Sequence, residues 1–265
     1  MHVIAVDDAA WDSPWRSVRV GEKALLALGL VLTALLTPAW PGCVLVALAS
    51  LGLAAGPARI DLRVLGVSIA APMAFLVIGS ASVALTVGDT VPDAWWSWGP
   101  LSLSAASVGR AADLFAHGVA GTLALLMLAM TTPMVDVLTS LRRFRVPDAL
   151  IDVASLTYRL LFVVADTALG IRAAQQARLG DAAPARRRWA NTASGAGALL
   201  VRAWDRARRL EDGLALRGFE NVLTTLPARR DASVRFVAGS LVVLTAIWAV
   251  CLMAITSGWA RGWAR

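Results

Sequence analysis

Side chains that carry chemistry are scarce in this sequence. It has two cysteines and two histidines, and only one of its 25 basic residues, Lys23, is a lysine. Cys43 and Cys251 each sit inside an apolar run, where cysteine behaves as a small hydrophobe, so neither a disulfide framework nor a cysteine metal cluster is indicated. His117 opens an apolar run and reads as a hydrogen-bonder within a helix bundle. His2 is a lone imidazole beside the amino terminus, and no metal-ligand set follows from either. The chain has no GxxxxGK[ST] phosphate loop, no GxSxG nucleophile elbow, no HExxH and no CxxC. It is therefore expected not to be an enzyme, not to hydrolyse ATP by itself and to hold no cofactor or metal.

Charge is also sparse. Only 16% of the 265 residues are charged while 58% are hydrophobic, and the mean hydropathy is +0.66, values that exclude an ordinary soluble core and indicate a polytopic membrane protein. The net charge of +7 and a pI near 11 would suit nucleic acid. In a membrane protein, however, basic residues sit in loops and orient the chain, so no nucleic-acid partner is expected.

Apolar runs lie at about 24–38, 42–56, 64–87, 113–133 and 236–257, each reaching or approaching the roughly 20 residues that cross a bilayer. The first two share the breaker TPAWPG (37–42) and read as a helical hairpin. Arg16, Arg19 and Lys23 precede the first run, Arg59 and Arg63 follow the second, and Arg142, Arg143 and Arg145 follow the fourth. All belong on the cytoplasmic side. The loop 87–100 has no basic residue, carries Asp89 and Asp93, and holds Trp95, Trp96 and Trp98 as an aromatic belt on the opposite side. Residues 101–112 read as an amphipathic lead-in to the fourth span.

From Pro147 the character changes. Residues 147–180 form one long helix pattern whose apolar central part carries only Asp152, Arg159 and Asp166 as charged residues, spaced by seven and so on one stripe. Pairing of Arg159 with carboxylates is the favoured reading, and a polar pathway through the membrane the alternative. After a charged linker (181–189), Leu200, Ala203, Ala207, Leu210 and Leu214 mark the apolar face of a second helix, with Arg202, Arg206 and Arg209 opposite. The two patterns end in QQARLG (175–180) and LALRGF (214–219). Gly180 and Gly218 stand where left-handed C-cap glycines are expected, with an arginine complementing each helix dipole. Presentation of both arginines to carboxylates of a soluble partner is the functional alternative.

Three stretches resemble a known family: SPWRSVRVGEK (13–23), the block 131–180 with its Thr-Thr-Pro, Leu-Arg-Arg-Phe-x-Val-Pro and Tyr-Arg elements, and RAWDRARRLEDGLALRGF (202–219). They are similar to the transmembrane T component of energy-coupling-factor (ECF) transporters, in its cobalt-type CbiQ branch. The resemblance implies a non-catalytic coupling subunit of an ATP-driven uptake transporter for cobalt or nickel, with a vitamin as alternative cargo. In that family, Ala-Arg-Gly signatures at the tips of two cytoplasmic coupling helices dock into grooves of two ATP-binding-cassette ATPases. Carried over, the first signature is Ala177, Arg178 and Gly180, and the second is Leu216, Arg217 and Gly218. Leu179 interrupts the first, and Leu216 replaces the alanine of the second.

The expected fold is an all-α polytopic membrane protein of about five transmembrane helices with a coupling module of long amphipathic helices. Its organisation is 1–146 transmembrane, 147–231 coupling helices and 232–265 a last span. The expected partners are a dimer of ABC-type ATPase subunits, a small substrate-binding membrane subunit and the lipid bilayer. The expected location is the bacterial inner membrane, with the module cytoplasmic. A self-contained secondary transporter or channel is the competing class.

Overall fold

The computed structural model describes residues 2–87, 94–98, 101–218 and 232–257. Within them the chain is built of helices, joined at one point by a small sheet, and it divides into two compact units: Met1–Val137 with Arg229–Arg265, and Leu138–Ala228.

The first unit contains α1 (His2–Asp12), α2 (Val20–Leu36), α3 (Val44–Ala55), α4 (Leu62–Ala84), α5 (Ala105–Thr131) and α9 (Val234–Thr256). Three of these, α4, α5 and α9, are long and apolar enough to cross a membrane. With 23, 27 and 23 residues, they measure about 35–40 Å at 1.5 Å per residue, against about 30 Å of hydrocarbon. Helices α2 and α3 are apolar but shorter, and the turn Ala39–Cys43 makes them the expected hairpin.

The helix starts follow from local chemistry. The Asp61 carboxylate accepts the Arg63 N–H at 2.9 Å and opens α4. Ser104 and Ser107 form a reciprocal capping box at the start of α5, each hydroxyl accepting the other's N–H at 3.2 and 3.1 Å. That box makes α5 a single helix from Ala105, so the expected lead-in at 101–112 is corrected: residues Leu101–Ser104 are instead a strand. This strand, β3, pairs antiparallel with β1 (Thr86–Val87) and β2 (Ala94–Trp98) between α4 and α5. Asp89 and Asp93 and the side chains of Trp95, Trp96 and Trp98 lie outside the described residues.

Helix α5 packs against α1, α2, α3 and α4, while α9 lies against α2 and α3. The core is made of small residues, including Ala27, Ala54, Ala120 and Ala124, with Leu26, Leu30, Met127 and Met130 between them. Small side chains let helices approach closely where lipid supplies no hydrophobic drive. Trp248 of α9 donates its indole N–H to the Thr33 hydroxyl of α2 at 3.1 Å. Large apolar side chains such as Phe75, Ile78, Val242 and Met253 are exposed on α4 and α9, the surface a bilayer covers.

The chain leaves this unit through α6 (Met134–Leu141). The second unit is a pair of long helices, α7 (Asp148–Ala177) and α8 (Ala185–Ala215), packed on each other. At 30 and 31 residues both are long, yet neither is apolar enough to be a membrane span.

Candidate functional site

Helix α7 is anchored at its start by Arg142, which pairs with Asp148 at 3.4 Å and with Asp152 at 3.2 Å. Asp152 is only 6% exposed. Its partner is therefore Arg142 and not Arg159; among the described residues Arg159 and Asp166 are exposed and form no ion pair. The stripe spaced by seven is thus neither a pairing ladder nor a buried relay. The reason lies before the helix: the turn Arg142–Phe144 and the left-handed Arg145 (φ 59°) fold Arg142 back over the first two turns of α7.

At the far end, Ala177 is the last residue of α7 and Arg178 its C-cap. The next residue, Leu179, takes the left-handed conformation (φ 59°, ψ 27°), and its N–H donates to the Gln176 carbonyl at 2.9 Å. This corrects the expectation for Gly180, which does not have positive φ. Gly180 is needed for closeness instead, because a Cβ there would stand 2.8 Å from the Gln175 carbonyl oxygen. Gly180 also starts the short turn Gly180–Ala182 that leads to α8. Arg178 and Leu179 are both exposed. With Gln175, Gly180, Ala183 and Arg187 they line an open cleft of about 480 Å³. The Gln175 amide crosses to α8 and donates to the Asn191 carbonyl at 2.7 Å, fixing the turn between the helices.

The second ending is built differently. Helix α8 stops at Ala215, Leu216 is its C-cap, and the N–H groups of Arg217 and Gly218 each donate three residues back, to the Leu214 and Ala215 carbonyls, at 3.1 Å. Gly218 holds the left-handed position (φ +69°), as expected of a C-cap glycine. Leu216 is 89% exposed and Arg217 is exposed. Among the described residues neither Arg178 nor Arg217 has an ion pair. The two endings flank the 31 residues of α8, a helix about 46 Å long, so they are two separate contact points and not one site.

On α8 the expected apolar face is present in part: Leu200 is 71% exposed, while Ala203, Leu210 and Leu214 are half-buried.

Among the described residues no three potential metal ligands cluster. The His117 ring nitrogen Nδ1 lies 2.7 Å from the Asp113 carbonyl of its own helix, and Cys43 and Cys251 are free and buried.

One residue is misplaced by sequence reasoning. Lys23, expected among the loop charges that orient the chain, is 1% exposed, and its ammonium donates to the Thr131 carbonyl at 2.7 Å. The cause is the start of α2 at Val20, which carries Lys23 into the first turn of a packed helix. The signal that could have found it is its being the one lysine in an arginine-rich chain.

Residues 12–226 match the family model described as cobalt transport protein, CbiQ. The chain is 40% identical over 234 residues to the cobalt transport protein CbiQ of Rhodobacter capsulatus, covering 88% of this chain and 91% of that protein. It is 29% identical over 185 residues to the cobalt transport protein CbiQ of Salmonella typhimurium, covering 66% and 79%. It is also 27% identical over 213 residues to a putative fused cobalt transport protein CbiMQ of Methanocorpusculum labreanum, covering 77% of this chain and 35% of that longer protein. The matched family is one of transport proteins and not of enzymes.

Proposed function

The chain belongs to the CbiQ family of cobalt transport proteins, and from that membership we propose that it is the non-catalytic coupling subunit of an ATP-driven uptake transporter of the ECF type, with cobalt as cargo. ATP hydrolysis takes place in partner ATPase subunits. A separate small membrane subunit captures the ion, a division that fits the name of the fused CbiMQ relative and the sparse ligands of this chain.

The observation that carries the proposal is the presentation of Arg178 and Arg217. Each is exposed at a helix end without an ion pair among the described residues, and α8 stands between them. A guanidinium fork is built for bidentate pairing with carboxylates. Two such forks about 46 Å of helix apart suit a dimeric partner with one groove on each subunit. Ala177, Arg178 and Gly180 form the first docking tip, and Leu216, Arg217 and Gly218 the second. When the ATPase pair closes on ATP, the tips are carried with it. The paired helices α7 and α8 provide the stiff connection that such coupling requires, and α6 links them along the chain to α5.

In this reading 1–146 and 232–265 form the membrane part and 147–231 the coupling module. The module is cytoplasmic and the membrane is the bacterial inner membrane, in agreement with the arginines around the segment ends. The test is copurification. Arg178→Glu with Arg217→Glu should leave the protein inserted in the membrane but remove the ATPase subunits from it and abolish cobalt uptake. Normal association and uptake in the double variant would refute the proposal.

A further inference from the structure

Glu22 and Lys23 are neighbours in the first turn of α2, and each holds the end of a different membrane helix. The Lys23 ammonium donates to the carbonyl of Thr131, the last residue of α5, at 2.7 Å. The Glu22 carboxylate accepts the N–H of Ser233, the N-cap of α9, at 3.0 Å. The signs are those the helices require: a cation meets the negative carboxyl end of α5, and an anion meets the positive amino end of α9. Both ends are further tied down. The Thr131 hydroxyl bonds back to the Met127 carbonyl at 2.8 Å, Pro133 is fully buried, and Phe236 of α9 meets the edge of Trp15 with ring centroids 4.9 Å apart.

The position of these bonds in the chain gives them their meaning. Thr131 ends α5, the last long helix before the chain runs on through α6 into α7 and α8, and Ser233 caps α9, the helix the chain enters after them. In chain order, α6, α7 and α8 therefore lie between two helix ends that one turn of α2 holds. We infer that Glu22 and Lys23 are positioning residues for transport, a clasp that fixes the exit and return points of the coupling segment to each other so that displacement of that segment is delivered to the membrane helices. This rests on the coupling reading above. At a site 1% exposed a compact ammonium brings fewer donors to satisfy than the five of a guanidinium.

A clasp differs from two independent stabilising bonds, since opening either arm frees the same junction. Lys23→Met keeps the packing and removes the ammonium; Glu22→Met likewise removes the carboxylate that accepts the Ser233 N–H. In the reconstituted transporter, each variant should retain its ATPase subunits and their ATP turnover while cobalt uptake per ATP falls about tenfold, the size of effect expected from one charge-assisted hydrogen bond. The double variant should be no worse than the more defective single one. On the chain alone in lipid nanodiscs, with both cysteines replaced, spin labels at Val135 and Ala232 should show a broader distance distribution in each variant than in the parent.

Unchanged uptake per ATP in both single variants, or an unchanged label distribution, overturns the clasp. So does a double variant whose losses multiply, which marks two separate structural bonds. If Lys23→Met does not insert, Glu22→Met alone decides by the same two measurements. Failure of the coupling reading is seen separately, as unaltered ATPase association in the Arg178→Glu, Arg217→Glu protein, and the label distribution then decides the clasp without reference to ATP.

Discussion

Substituting two adjacent residues at the turn that follows α7 should change its stability in opposite directions. Leu179 holds a left-handed conformation with its side chain 76% exposed. Glycine there would relieve roughly 1–2 kcal/mol of steric cost and lose almost no packing, against about 0.5–1 kcal/mol for the greater backbone freedom of glycine in the unfolded chain. The balance is a local stabilisation of about 0.5–1 kcal/mol, or two- to fivefold in hydrogen-exchange protection of the amides that close the turn. Gly180→Ala should act in reverse. Its new Cβ would stand 2.8 Å from the Gln175 carbonyl oxygen, closer than a carbon and an oxygen pack, and the contact is with backbone that cannot swing aside. A loss of at least about 1 kcal/mol follows, close to fivefold lower protection. The assay is exchange mass spectrometry on peptides covering 175–183 in the intact protein in nanodiscs. Equal effects of the two substitutions, or more protection in Gly180→Ala than in Leu179→Gly, would refute this reading of the cap.

Gly218→Ala should lower protection over 214–218 by about fivefold, since its φ of +69° costs a non-glycine residue about 1 kcal/mol; unchanged exchange would contradict the left-handed cap. Arg142→Met should cost about 2 kcal/mol of stability in the α6–α7 region because it takes the ion pair from Asp152, 6% exposed. Asp148→Asn, whose side chain is 56% exposed, should cost less than about 0.5 kcal/mol. Retention of the monodisperse peak after stepwise heating in detergent compares the two, and equal loss would show that burial does not govern the Arg142 clamp.

The long membrane helices were legible because hydropathy reports composition directly: the runs at 64–87, 113–133 and 236–257 correspond to α4, α5 and α9. The true start of α5 at Ala105 was not, because Arg110 and Asp113 lower the hydropathy of its first turns while the Ser104–Ser107 box decides where it begins. Helix ends at QQARLG and LALRGF were visible in their glycines, yet glycine preference pointed to Gly180 for the left-handed position, and the chain uses Leu179. A rule of local propensity cannot register that Gly180 is instead required by its closeness to Gln175. The partners of Asp152 and Lys23 were hidden for a related reason. Both are chosen by turns and packing, at Arg142–Arg145 and at the α2–α5 contact, and no spacing within a helix encodes them.

ATPase docking through Arg178 and Arg217 is tested most directly by purifying the protein in mild detergent from cells that also make the ATPase subunits, as parent and as the Arg178→Glu, Arg217→Glu variant. The parent should carry the ATPase subunits through the final column, and the variant should elute without them at an unchanged yield of folded membrane protein. Stoichiometric ATPase in the variant peak would contradict docking through these arginines.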